Sequence, residues 1–438
     1  MGLKLGVVFL VAVAAFGQKV NPVPGPGGPP SGNAGGDLSQ NFPDPIVTGS
    51  HVLASVPPQV SAVGYTVNTF LTYLAKSDFD IAQTYPSGKK WYFADYFNVS
   101  PPSSSTVTFG NVTSIGGNGT ATTLGSVGLT AVGSSNWVGT AFGGGFYVDA
   151  VLNFSPSACA ANRAVQWPSF WTFSFEHIIA NGSDQWPGQA SGYLHFGEMD
   201  VMECDIASST SYGATNHDFW GIYNTTCPST NFCQVGSESG GGSSYANTAI
   251  QTNSDLGAFH DYGLLWVPAT SNNTLVGGAI AYASGGTISG SGTCTATATN
   301  GGGSGAQITI TAPYGSFTNN AGYVISSPGS GYASVPTAWT LSGGSTFCSG
   351  TMATTGGTLV SGYAMYFFDG QPVSFIGWQK YVGASTSPPP GLTASAPWTF
   401  GVVDSGHMVV LLSTGNNTPM NVQYVRVLQA SAAGNVTQ

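Results

Sequence analysis

From Tyr65 to Gln429 the chain is built of short apolar or alternating runs cut by Gly, Pro, Asn and Ser: "GFYVDAVLNF", "WTFSFEHI", "YGLLWV", "YAMYFFDG", "MVVLLS" and "VQYVRVLQ". Runs of this length, rich in Val, Phe, Tyr and Thr and bounded by turn formers, predict strands. Many such strands at short intervals predict an all-β sandwich. Apolar residues at three- and four-residue spacing are not sustained, so no long helix is expected.

Two segments break the pattern. "NPVPGPGGPPSGNAGG", beginning at Asn21, cannot form a core and predicts a flexible, partly extended linker over residues 18–64. Residues 275–361 are Gly-rich, small and almost free of charge, as in "GGTISGSGTCTATATNGGGSGAQITIT". They predict a compact β module set into the main domain, which then comprises residues 65–274 and 362–430. Within the module, "GSGYASVPTAWTLSGG" resembles repeats of bacterial and phage surface proteins, a likeness that carries no activity.

The first residues, "MGLKLGVVFLVAVAAFGQ", combine a basic start at Lys4, an apolar run and small residues at Ala15 and Gly17. This predicts a secretory signal over residues 1–17. The run is shorter than the roughly 20 apolar residues a bilayer span needs. The expectation is a secreted, extracellular protein with no membrane span after cleavage. Nine Asn-x-Ser/Thr sequons, among them Asn153 and Asn435, mark expected surface positions. Six cysteines behind an export signal fit disulfides. Cys227 and Cys233 can close a small loop, Cys294 and Cys348 fall together in the module, and Cys159 and Cys204 remain. Six cysteines allow 15 pairings, and spacing alone does not choose.

Charge narrows the partner. Only eight residues are Lys or Arg, and none lies between Arg163 and Lys380. Nucleic acids and sulfated polymers need many cationic contacts, so both are excluded as expected partners. A neutral partner is expected, bound by a monomer.

Acid is scarce as well, yet it is concentrated. The chain has four glutamates, and "HFGEMDVMECD" holds Glu198 and Glu203 with Asp200 between them. On a regular strand Glu198 and Asp200 share a face and Glu203 points the other way. A bulge at Val201-Met202 restores agreement, and bulges are common beside active sites. Adjacent carboxylates split their pKa values, one keeping its proton while another stays ionised. Glycoside cleavage needs that pair: an acid on the leaving oxygen and, in a retaining enzyme, a nucleophilic carboxylate about 5–5.5 Å away. Four strand steps separate the Cα atoms by roughly 13 Å, so the two glutamates must lean together. The competing readings are a calcium site, since hard cations take carboxylate oxygens, and a solvated acidic edge. The apolar flank "MDVM" disfavours the latter.

"GEMDVME" resembles the "GEIDIME" signature of the laminarinase- and lichenase-type glycoside hydrolases (family 16), and its neighbours fall in that family's order. "GGGFYVDAVLNF" is similar to its "YGxFEARIK" strand, "WPSFWTF" to "WPAFWLL", and "FHDYGLLWVPA" to "FHTYGIEWTPD". "YFFDGQPV" and "NVQYVRVLQ" follow beyond the module. The resemblance covers about residues 92–429 and implies a concanavalin A-like jelly roll. It implies Glu198 as nucleophile, Glu203 as general acid/base and Asp200 as the carboxylate that orients the nucleophile. It sets Trp171 beside the sugar at the cleavage point, with Trp186, His217 and Trp220 as further cleft residues. The family's Glu-Ala-Arg is here Asp149-Ala150-Val151, so its Arg is missing. If Cys204 forms a disulfide, it pins the strand behind the acid row.

The resulting expectation is a retaining endo-glycosidase for a neutral β-glucan, β-1,3 or mixed-linked, the linkage resting on the resemblance. A transglycosylase, an agar-type galactan hydrolase and a non-catalytic carbohydrate-binding surface protein are the alternatives. No cofactor or catalytic metal is expected, and a structural calcium stays open.

Overall fold

The computed structural model describes residues 32–33, 38–39, 41–42, 46–47, 53–93, 107–110, 112–116, 125–128, 130–132, 137–157, 168–180, 193–204, 211–222, 248–251, 254–268, 275–277, 288–314, 323–343, 348–354, 358–360, 362–378, 380–381, 398–399, 406–414 and 419–438. Two compact units divide the chain, Met1–Thr48 and Gly49–Gln438. In the first, Gly32–Asn33 pairs with Asn41–Phe42, and Leu38–Ser39 with Ile46–Val47. The predicted signal, residues 1–17, lies outside the described residues.

The second unit is an all-β jelly-roll sandwich. Its front sheet runs, in spatial order, Thr130–Val132, Trp137–Gly143, His407–Thr414, Ser169–Ser174, Tyr193–Glu203, Ser211–Ile222 and Thr248–Gln251, all antiparallel. The back sheet runs Gln371–Trp378, Gly362–Phe368, His260–Val267, Phe146–Asn153, Met420–Gln429, Thr113–Ile115 and Val107–Thr108, with Val67–Thr72 also paired to Met420–Gln429. Alternation sends Phe146, Val148, Ala150 and Leu152 inward to meet Phe170, Met199, Met202 and Tyr212 of the front sheet in one core. The "DG" between the first two back-sheet strands makes a two-residue hairpin. Asp369 and Gly370 both have positive φ, 48° and 74°, as the tight turn matching the twist of a hairpin requires.

The back sheet is covered on its outer face too. Residues 53–64 fall by composition in the predicted linker; they carry the helix Pro58–Ala62, with proline at the first turn where its missing N–H costs nothing. Val60 of that helix packs with Tyr65, Tyr147, Leu265, Tyr363, Met365 and Phe367. Under the same segment Asp149 is fully buried against Arg426, whose Nε donates to Oδ1 at 2.9 Å and whose Nη2 donates to Oδ2.

Between His260–Val267 and Gly362–Phe368 a separate antiparallel sheet is inserted, in the order Tyr323–Ser330, Ser304–Tyr314, Ile288–Ala298, Ala338–Ser342 and Thr351–Ala353. Leu275–Gly277 pairs with Thr358–Val360 at its base. The Cys294–Cys348 disulfide lies in its own small core with Ile308, Ile310 and Trp339. Among the sequon asparagines, Asn153 and Asn435 donate through their side-chain nitrogens to Gly257 O at 2.9 Å and Gln429 Oε1 at 2.8 Å. No helix among the described residues is long and apolar enough to cross a membrane.

Candidate active site

The acid strand, Tyr193–Glu203, lies between the Trp171 strand, Ser169–Ser174, and the strand Ser211–Ile222. Glu198 stands opposite Phe173, Asp200 opposite Trp171 and Glu203 opposite Ser169. On the other side Asp200 pairs with Thr215 and Glu203 with Gly213, so Val201 and Met202 together oppose the single Ala214. That is the bulge the strand alternation required.

The ring contact between Tyr212 and Tyr262, with centroids 5.1 Å apart, fixes Tyr212 on the inner face toward the back sheet. Gly213 and Thr215 alternate about it, and Thr215 belongs with Gly213 on the outer face. Glu203 and Asp200 stand across from them there, and Glu198, two residues before Asp200, follows. Burial agrees: Met199, Met202 and Cys204 are fully buried and Val201 nearly so, whereas Glu198 and Glu203 are half-buried. Asp200, between them, is 1% exposed.

Polar contacts lock the neighbouring strand in place. Trp171, 7% exposed, donates its indole N–H to Ser413 Oγ at 2.8 Å, and its ring lies 5.6 Å from that of Phe173. Ser174 Oγ donates to Gly197 O at 3.0 Å and accepts from Gly197 N at 2.8 Å, fastening the two strands beside Glu198. From the back sheet, Tyr366 donates its hydroxyl to Thr215 O at 3.0 Å. Burial, then the charges of Asp200 and Glu203, push that phenol well above its usual pKa, so it remains a neutral donor beneath the row. Val409, Leu411 and Phe173 are buried although they share the acids' face, whereas Glu198 and Glu203 keep part of their surface exposed.

The structure therefore brings Glu198, Asp200, Glu203 and Trp171 together. Trp186 lies outside the described residues. His217 and Trp220 pair through their backbones with Glu198 and His195, and their side chains lie outside the described residues. Cys204 is disulfide-bonded and buried at the end of the acid strand, its partner outside the described residues. Ser413 and Thr215, both buried beside the row, escaped the sequence reading. The alternation of "HMVVLLST" predicts the strand that carries Ser413, but nothing in it points to a tryptophan 242 positions away. Among the described residues no group of three or more His, Cys, Asp or Glu converges as a set of metal ligands.

No protein-family model matches the sequence, and no curated protein matches it. Solved structures similar to the chain include the kappa-carrageenase of Pseudoalteromonas carrageenovora in complex with an oligotetrasaccharide of kappa-carrageenan, at 11% identity and a TM-score of 0.33 over 83% of this chain and 97% of that one. The endo-1,3-beta-glucanase of Streptomyces sioyaensis is 14% identical, with a TM-score of 0.34 over 85% of this chain and 97% of that one. Beta-agarase B of Zobellia galactanivorans is 9% identical, with a TM-score of 0.32 over 80% and 86%. At such identities and TM-scores the likeness establishes neither family nor activity.

Proposed function

We propose that the chain is a secreted retaining endo-glycosidase that hydrolyses a neutral β-glucan with β-1,3 or mixed linkages. The observation that carries this reading is the row itself: two half-buried glutamates share the outer face of one bulged strand, with a buried aspartate between them. In the first step Glu203 gives its proton to the glycosidic oxygen as that bond to the anomeric carbon breaks, and the Glu198 carboxylate forms a glycosyl ester on the same carbon. In the second, Glu203 takes a proton from water, the water oxygen attacks the anomeric carbon, and the ester bond returns its electron pair to Glu198. Asp200 orients Glu198 and tunes the proton balance between the two glutamates.

Substrate neutrality is supported by composition, with eight basic against eighteen acidic residues. The β-1,3 linkage is supported by the resemblance of "GEMDVME" to the laminarinase-type motif. Purified protein incubated with laminarin, lichenan, xyloglucan and agarose is expected to release oligosaccharides from a glucan and retain configuration at the new reducing end. Glu198→Gln and Glu203→Gln are each expected to lower turnover about 10²–10⁴-fold while keeping the wild-type circular dichroism spectrum. Near-native turnover in either variant removes its assigned role. Products longer than the substrate would mean glycosyl transfer, and glucan binding without cleavage by wild-type protein would mean a lectin.

A further inference from the structure

His407 opens a front-sheet strand, His407–Thr414, on the same alternation as Val409 and Leu411. Those two stand opposite Phe173 and Trp171, which in turn stand opposite Glu198 and Asp200. Its Nδ1 makes a short contact with Glu176 Oε1, and its backbone N–H donates to both Glu176 oxygens, at 3.2 and 3.0 Å. Glu176 is the second residue of the helix Phe175–Ala180, which continues directly from the Trp171 strand. The carbonyl of Gly434, in the C-terminal turn, crowds the same space beside Gly143 as the ring. A carboxylate is an acceptor only, so Nδ1 carries the proton in this contact, and a charged ring strengthens it. Both carboxylate oxygens and the Nδ1 of the ring are engaged within the protein, which makes the pair a clamp.

The clamp has little slack. A Cβ on Gly143, across from His407 in the sheet, would lie 2.5 Å from Gly434 O and 2.7 Å from His407 Cδ2. The Phe175 ring closes another side, its centroid 6.1 Å from that of the imidazole. Among the described residues Glu176 is the charged group that acts on His407. Gly143, Phe175 and the Gly434 carbonyl are the uncharged neighbours from the adjoining strand, the helix and the turn.

We propose that His407 is a positioning residue for the acid row: through Glu176 it ties the helix that ends the Trp171 strand to the strand edge beside the C-terminal turn, and so holds Trp171 and Phe173 in register with Asp200 and Glu198. The clamp rests on the glycosidase reading for its catalytic consequence, but not for its geometry. The hydrogen bond that the ring donates to Glu176 raises the His407 pKa above its ordinary value, outweighing burial, which lowers it. The clamp is therefore complete at low pH and is lost as pH rises through that raised value.

The test follows the His407 ring and the Trp171 indole N–H by NMR across pH on the full chain, beside turnover of a glucan oligosaccharide with an activated aryl leaving group. Such a leaving group departs without the Glu203 proton, so the general acid contributes no alkaline loss in the first step. The Trp171 resonance is expected to move, and turnover to fall severalfold, with the same midpoint as the His407 ring. Glu176→Gln removes the charge that raises this midpoint, and should carry ring titration, indole shift and turnover to lower pH together. Gly143→Ala, which forces the clamp apart, should abolish the coupled shift. An unmoved Trp171 resonance through the His407 titration overturns the clamp, as does an alkaline loss that stays in place in Glu176→Gln. If wild-type protein cleaves no glycan, the glycosidase reading fails and the Trp171 resonance still decides the clamp.

Discussion

Trp171 is held against the acid row by one hydrogen bond, from its indole N–H to Ser413 Oγ at 2.8 Å, between side chains that are both nearly buried. Ser413→Ala strands the donor in a site with little water access, which costs about 1–3 kcal/mol. Urea unfolding should show that loss, and Trp171 should give weaker substrate binding as its ring turns in search of an acceptor. Wild-type stability in Ser413→Ala would mean that the indole has a second partner. At this scale the sequence was unevenly legible. Scarcity marked Glu198 and Glu203, and alternation alone demanded the Val201-Met202 bulge, because an unpaired Glu203 carboxylate facing the core is costly. Ser413 carries no such mark, since a serine at the end of a strand is compatible with any neighbour, and its role exists only once two distant strands are side by side.

Paired strands explain what the back sheet does with its charges. Asp149 and Arg426 stand opposite each other on adjacent strands, Tyr424 adds a hydroxyl to Asp149 Oδ2 at 3.1 Å, and Asp261 enters from the strand on the other side. Read singly, "YVDAV" and "YVRVL" are alternating strands with one stray charge each; only the register turns the strays into a buried pair. The pair leaves one acid over. Burial first, then the charge of Asp149, push Asp261 up to about 8, although Arg426 pulls it the other way. A carboxyl raised in the folded state stabilises the fold fully below its ordinary pKa of about 4, and that contribution is lost as pH rises to about 8. Stability is therefore expected to fall across that window by several kcal/mol, on the order of 1.4 kcal/mol for each unit of the rise. Asp261→Asn, which keeps the shape and cannot ionise, should flatten the profile and leave the variant the more stable protein at pH 8. Parallel pH profiles for the two proteins would show that another group sets the slope.

Over the whole molecule, the inserted sheet has, among the described residues, a hydrophobic core separate from the one behind the acid row. Its contacts run to the back-sheet edge strand Gln371–Trp378 through Phe375, and to the N-terminal helix through Gln59 Nε2, which donates to Ser326 O at 2.7 Å. The texture of small residues predicts an inserted module there, because a tract of that length between adjacent strands is seldom a bare loop. Where it attaches was not legible, since a Gly- and Thr-rich surface carries no pattern that selects one neighbour. The short pair Leu275–Gly277 with Thr358–Val360 gives it a stem, and Cys294–Cys348 closes a 54-residue separation within it. By chain entropy such a closure is worth about 4 kcal/mol, all of it to the inserted sheet's own folding. We expect it to behave as a module. Replacing residues 278–357 with Asn-Gly should give a soluble protein that melts a few degrees lower, because Phe375 and Gln59 lose their partners. Turnover of soluble glucan oligosaccharides should remain within about twofold, since a graft that leaves the acid row's strands intact removes no transition-state contact. Aggregated protein from that replacement, or soluble protein with its cleavage lost, would show instead that the inserted sheet is part of the sandwich's own folding unit.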